Sequence, residues 1–497
     1  MKKIILTVMC LTLALAAGAQ DIKDRASKQL NIDQNLWYNT ANAAGLARDA
    51  MASWRDVSLN YGFETGKFTD SWNARRQSAF SLSGDTFMDI EGFRVAADAN
   101  LEFSSLKNCK YNNSLYQVDW DMPYFVALNA EEPFRWGRTR ADLNVSASTP
   151  LMFDDMFSFG VNLGIGTRIA SKNAVPGARY SDLTFKLSPS ATLAIDDDNI
   201  VGLAIYYETT PARSTVGKGE ALTSVAFLQG LGEYTTRWAG GDMGIDAIKY
   251  NSFLIGAGVQ YNHMGDAVDL MAEFSLHKGV TSATEGKTLQ GTVDRYLMGA
   301  HMQGLFGDDR NRKLTLDFDY NLNYWIKPLG SSTIAHNNLI DVDLDYTIYL
   351  GATRGGAFDW MLGGGIDFDL LSLKRVVPEG KLTATNLLPH VYLGKNIRLA
   401  KEESLLVKAD LGYNFSMNAD YEYNGKNTEG NYFVHYMYDD EADYLGRYFL
   451  RTKLDATYTY QVNTFFSAYA SMGGALFKPM GVKGSRLAML FSLGVMF

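Results

Sequence analysis

The sequence predicts an all-β protein: a transmembrane antiparallel up-and-down β-barrel of about 18 strands, with 16 or 14 as smaller counts, preceded by a short N-terminal periplasmic hatch or helix. Three observations predict it. From about Arg55 to Phe497 apolar and polar residues alternate with period two over long stretches separated by polar turns. The first residues read as an export signal. The chain finishes on an alternating run that stops at an aromatic residue, Phe497.

Composition removes the competing classes. The 497 residues are 46% hydrophobic and 13% aromatic, too much apolar surface for disorder. Only Ile4 to Ala17 approaches the roughly 20 apolar residues of a membrane-spanning helix, which excludes a polytopic helical protein. A formal charge of -9 gives no basic face for nucleic acid.

At the N-terminus, Met1-Lys2-Lys3 supplies a positive region, Ile4 to Ala16 an apolar core and Ala17-Gly18-Ala19 a small-residue cleavage site. The chain therefore divides into a signal peptide at 1–19, a hatch or plug segment at 20–54 and a barrel at 55–497. Cys10 falls within the signal, so Cys109 is alone in the mature chain and no internal disulfide forms. Asp21 to Met51 carries no strand alternation, and the Ala-rich stretch Asn35 to Ala50 suits a short helix or plug in the periplasmic mouth.

The clearest strand sets Leu314, Leu316, Phe318, Tyr320, Leu322 and Tyr324 against Thr315, Asp317, Asp319, Asn321 and Asn323. Side chains alternate across a strand, so one face is apolar and the other polar. Eleven residues is the length that crosses a bilayer at a tilt, whereas strands of soluble sandwiches usually have about five or six. Tight connections fall near Asp89 to Gly92, Leu151 to Met156, Asp196 to Asn199, Met264 to Asp266, Gly307 to Arg312, Gly351 to Gly356, Leu399 to Glu403 and Gln461 to Asn463. Every second connection is longer, with the longest outer loops at Ser105 to Trp136, Thr209 to Tyr250 and Asn418 to Tyr444. The apolar stretch Ala221 to Leu231 fits this rhythm only as part of such a loop.

The last run, Leu487, Met489, Phe491, Leu493, Val495 and Phe497, resembles the terminal-strand signal of outer-membrane barrels. That resemblance implies that Phe497 closes the last strand and is recognised by the barrel-assembly machinery. Asn42-Ala43-Ala44-Gly45-Leu46, followed by Val57-Ser58-Leu59-Asn60-Tyr61-Gly62, resembles the start of long-chain fatty-acid transporter-like (FadL-like) barrels, where an Asn-Pro-Ala-rich hatch precedes the first strand. The match covers about 20 residues, with Ala43 where that family has Pro. It implies that Asn42, Ala44 and Gly45 belong to a hatch, in a chain that looks like an uncharacterised family of outer-membrane barrels.

With apolar faces toward lipid, Asp317, Asp319, Asp341, Asp343, Asp345, Asp359, Asp367 and Asp369 point inward as an acidic wall. Arg138, Arg140, Lys408, Arg447, Arg451 and Lys453 take inward parity as basic patches. Opposed walls would favour polar or zwitterionic solutes; alternatively the charges pair and fill the lumen. The acidic run Asn424 to Tyr444 reads as a solvated loop without the ligand spacing of a Ca²⁺ site. Tyr206, Tyr207, Trp325, Trp360, Tyr448 and Tyr460 suit an interfacial girdle.

No catalytic signature, metal motif or cofactor motif is present. The expected role is a non-enzymatic channel or transporter in the Gram-negative outer membrane for small solutes, hydrophobic ones included. The alternative is a non-conducting partner barrel in a secretion, assembly or TonB-linked uptake complex, and an outer-membrane hydrolase is a distant third. Expected partners are outer-membrane lipid, the assembly machinery and an envelope protein, with no nucleic acid.

Overall fold

The computed structural model describes residues 22, 24–113, 122, 124–127, 133–172, 177–216, 223–228, 234–239, 245–307, 309–327, 332–352, 356–376, 379–424, 433–463 and 465–497. The export signal expected at 1–19 lies outside them. Helix α1 (Arg25–Asp33) begins the described chain, followed by two 3-10 turns at Trp37–Asn39 and Ala43–Ala47. The strands are β1 (Trp54–Gly66), β2 (Arg76–Ile90), β3 (Phe93–Cys109), β4 (Phe125–Ala127), β5 (Phe134–Ser148), β6 (Phe157–Lys172) and β7 (Ala178–Ala194). Next come β8 (Asn199–Val216), β9 (Thr223–Leu228), β10 (Tyr234–Ala239), β11 (Ile248–Met264), β12 (Val268–Glu285), β13 (Thr288–Phe306) and β14 (Arg312–Ile326). The chain ends with β15 (Thr333–Leu350), β16 (Trp360–Arg375), β17 (Gly380–Ala400), β18 (Glu403–Tyr423), helix α2 (Phe433–Leu445), β19 (Phe449–Gln461), β20 (Ser467–Pro479) and β21 (Arg486–Met496).

Eighteen of these strands form one antiparallel sheet in which each pairs with the next, β3 with β5 and β8 with β11. The pairing of β21 with β1 closes it, and the backbone of Phe497 exchanges hydrogen bonds of 2.8 and 3.1 Å with Arg55 at that seam. This is the 18-strand barrel that the alternation predicts, and all eight expected tight connections fall between consecutive strands. Closure satisfies every strand's backbone polar groups within the sheet, the condition for crossing lipid. Leu59, Phe80, Ile205, Ile255, Leu344, Val391 and Leu493 stand exposed on the outer face, as a lipid-facing belt requires.

The strands are longer than the eleven residues expected, reaching 21 in β17 and β18. A bilayer needs only about 9–11 residues per strand, so the wall continues past the membrane and encloses material there. That material is a second sheet of β4, β9 and β10. The segment Ala221 to Leu231 is thus part of a long connection, as expected, but β9 within it folds into the bore.

Candidate functional site

The hatch segment meets the wall at many points around the periplasmic end. On α1, Asp24 caps the helix by accepting the Ser27 N–H at 2.7 Å. One turn presents Arg25 and Lys28 to Asp56 of β1, a buried carboxylate that also accepts the Tyr469 hydroxyl at 2.7 Å. Lys28 reaches Asp85 of β2 at 2.5 Å as well. At the other end of α1, Asp33 pairs with Lys313 of β14 at 2.9 Å and accepts the hydroxyl of Tyr349 of β15.

Beyond the helix, the Trp37 indole donates to Asn262 at 3.1 Å, and Asn42 donates to Gln260 at 2.8 Å while accepting the Ala44 N–H at 3.0 Å. Ala44 donates to Ser190 of β7 and accepts from Ser158 of β6. Gly160 of β6 permits this approach, because a Cβ there would strike the Ala43–Ala44 backbone. Gly45 lies against the face of the Trp37 ring. Asn42 and Ala44, marked by the sequence, are therefore seated at the wall, whereas Gly45 packs on the hatch's own Trp37. Asp49, which the sequence did not mark, clasps the segment by accepting the N–H groups of Trp37 and Tyr38 at 3.2 and 2.7 Å. Burial pushes its carboxyl up to about 7 despite those bonds.

Inside the barrel the acidic residues form a grid. Asp317 lies opposite Asp343, which lies opposite Asp367; Asp319 lies opposite Asp341, which lies opposite Asp369. Like charges directly opposite on neighbouring strands repel, and side chains from other strands contact the carboxylates. His301 of β13 contacts Asp317. Arg451 of β19 meets Asp367 at 3.1 Å and donates to His390 Nδ1 at 2.7 Å. The proton on His390 then sits at Nε2, which faces Asp345 at 3.1 Å. Gly365 of β16 makes room for this ring, since a Cβ there would collide with both His390 and Asp345.

Several expectations need correction. Asp359 is exposed in the turn before β16 and stands outside the grid, because parity lapses where the strand has not yet begun. Arg447 precedes β19, outside the strand whose parity would turn it inward, and pairs with Asp443 of α2 at 2.9 Å. Arg451 is not a separate basic wall but part of the acidic network. Arg138 and Arg140 do face inward from β5, yet Glu102 and Asp142 pair with them there. Lys408 donates to Gln29 of α1, and Lys453 lies opposite Asp410. Inward parity on β13, β17 and β18 was the available signal for His301, His390 and Asp410. Among the described residues no group of three or more His, Cys, Asp or Glu side chains is placed to hold a metal ion.

The outer end is filled differently. Val126, Val225 and Phe227 of the inner sheet are fully buried in one apolar cluster with Trp136, Tyr250 and Trp325 of the wall. Leu371 and Leu373 of β16 join from the far side, so the cluster bridges the bore. Polar ties cross it as well: Glu285 of β12 accepts the Tyr124 hydroxyl at 2.7 Å and Arg237 at 2.7 and 2.9 Å, and the Tyr250 hydroxyl donates to the Tyr124 carbonyl at 2.8 Å. The run expected as a solvated acidic loop contains α2, whose Val434, Met437 and Tyr438 enter the cluster. Trp325 and Tyr206 also leave the expected girdle: the first is in this cluster, and the second bonds Glu273 inside at 3.1 Å. Tyr207, Trp360, Tyr448 and Tyr460 remain exposed.

Residues 43–497 match the model of a family of unknown function, DUF6850. The chain belongs to this family. No curated protein matches this DUF6850 member. Among solved structures it is similar in fold to a Pseudomonas aeruginosa FadL homologue, at 10% identity, TM-score 0.37, over 97% of this chain and 99% of that one. It is similar also to the ferric-catecholate import receptor Fiu from E. coli, at 8% identity, TM-score 0.40, over 89% and 81%. A third is the outer membrane protein opdK from Pseudomonas aeruginosa, at 11% identity, TM-score 0.33, over 90% and 99%. A family of unknown function built on an 18-strand barrel is what the sequence led us to expect.

Proposed function

We propose that this DUF6850 member is an outer-membrane transporter for small polar solutes, with the hatch as its periplasmic gate. One observation carries the reading: a charged chamber lies between two stoppers, and the contacts of the periplasmic one include many polar links that water or a solute can replace. The acidic grid biases the chamber toward solutes bearing positive charge, since rings of carboxylates tune selectivity in this way. The protein on this reading moves solutes without transforming them.

Flux through planar bilayers or swelling liposomes tests it with three proteins. These are the full chain, a deletion of residues 24–51, and that deletion combined with replacement of 223–239 by a short linker. The intact protein stays closed, and conductance appears in the second or third. The stoppered bore also favours a second reading, a non-conducting partner barrel. That reading stands if all three variants fold, as judged by faster migration before boiling on detergent gels, and none conducts.

A further inference from the structure

A cavity of about 570 Å³ lies between α1 and the wall of β18 to β21 and β1, within the size range of small-molecule sites. Its floor is the hatch helix, through Arg25, Lys28 and Gln29. Most of the charges around it are matched: Arg25 and Lys28 with Asp56 and Asp85, and Asp33 with Lys313.

The exception is Lys408 and Asp455. They sit directly opposite each other on β18 and β19, the register in which opposite charges normally pair. Here they are split. Lys408 Nζ donates to the Gln29 carboxamide oxygen on the hatch. Asp455 leans the other way, over Gly473 of β20, into space that a Cβ at that position would fill. Among the described residues Asp455 has neither a hydrogen bond nor an ion pair, and it is exposed to the lumen. A cation and an anion on neighbouring strands thus line one cavity, each turned from the other.

We propose that this cavity binds a small zwitterion, its carboxylate on Lys408 and its ammonium on Asp455. A carboxylate that takes Lys408 competes with Gln29 for that ammonium, so occupancy weakens one of the contacts that hold the hatch. The proposal deepens the transporter reading by naming a substrate class and its link to the gate, yet binding is measured at equilibrium and needs no flux.

Calorimetry on the full chain in detergent tests it with glycylglycine, N-acetylglycine and glycinamide, which carry both charges, the anion alone and the cation alone. Glycylglycine should bind at least about tenfold more tightly than either single-charge probe, a difference of about 1.4 kcal/mol. Lys408→Met and Asp455→Asn should each weaken it by about tenfold or more. The double exchange Lys408→Asp with Asp455→Lys should recover binding, which a variant that had merely lost its fold could not do. No glycylglycine binding by the unaltered protein, equal binding of the three probes, or unaltered affinity in both single variants overturns the proposal. A protein that binds glycylglycine but never conducts keeps the site and loses the transporter reading. Conductance without binding does the reverse.

Discussion

The two stoppers of this barrel mix apolar and polar contacts in different proportions. The N-terminal hatch is joined to the wall by polar links through Asp56, Asp33, Asn42 and the Ala44 backbone, beside three small apolar clusters around Ile22, Leu30 and Trp37. The outer stopper is joined through one large continuous apolar cluster, with charged ties at Glu285, Lys172 and Glu441. An intramolecular hydrogen bond contributes only about 0.5–1.5 kcal/mol net, because water offers the same partner when it breaks. Burying a large apolar side chain contributes about 1.5–3 kcal/mol, and water offers no substitute. The hatch, whose apolar contacts are split into three small clusters, is therefore the end with more to exchange, and the outer stopper with its one large cluster is the end with more to keep.

The largest effect should come from hollowing the outer stopper. Phe227 is fully buried, 5.3 Å from the Tyr124 ring and 4.4 Å below the Arg237 guanidinium. Phe227→Ala should cost that stopper about 3–5 kcal/mol. Hydrogen exchange should then rise across β9 and β4 while the hatch keeps its protection and the barrel its heat-dependent gel mobility. Equal loosening of the hatch would mean that the two stoppers are one cooperative unit.

The second effect is pH, the one perturbation to which both ends should respond alike. Burial raises Asp49 in the hatch to about 7, and it raises Glu441 of α2, which holds Ser71, to the same value. A carboxyl raised in the folded state favours the neutral form, so its contribution is complete below the ordinary carboxylate range, near pH 4. It is lost as pH rises through 7, with a slope of up to about 1.4 kcal/mol per pH unit. Exchange corrected for its intrinsic rate should accelerate in both segments from pH 5 to 8. Asp49→Asn should flatten the response in the hatch alone; a hatch of the unaltered protein whose corrected exchange does not change between pH 5 and 8 would show that the Asp49 clasp is charged throughout.

How much of this was legible in the sequence depends on whether one strand sufficed. The strand count and turns were, because period two is a property of each segment and a turn such as Asp196 to Asn199 is local. The inward aspartates were legible for the same reason, and Asp359 and Arg447 failed where the strands stop. Parity also placed Trp325 and Tyr206 inside, since Tyr324 and Tyr207 face out, so the girdle assignment overlooked information already present. The outer stopper was not legible: Phe125–Ala127 is three residues long and pairs with β9 about a hundred residues later. Likewise, nothing local tells Arg451 to reach Asp367 three strands away past Gly412; that follows only once the sheet curves shut.

Breaking the hatch's ionic hub should come next in size. Removing one partner of a buried ion pair costs about 3–5 kcal/mol, but in Asp56→Asn the amide oxygen still accepts from Lys28 or the Tyr469 hydroxyl. We expect about 2–3 kcal/mol of hatch destabilisation on that basis, read as faster exchange across α1 with β9 unchanged. An effect confined to β1 and β20, with α1 as protected as before, would show that the apolar contacts of Ile22, Leu46 and Met51 hold the helix.

The smallest effect is also the most local. Asn42 does two jobs at once, capping the turn at Ala43–Ala47 through its oxygen and binding Gln260 through its nitrogen. Asn42→Ala removes both and leaves the buried Gln260 oxygen without that donor, for a cost of about 1–2 kcal/mol. Asn42→Asp separates the two jobs: the cap oxygen survives while the donor to Gln260 is lost. If the cap dominates, the aspartate should behave as the original protein in exchange across 42–48. If the link to the wall dominates, it should behave as the alanine, and the hatch is then held at this point by the barrel and not by its own turn.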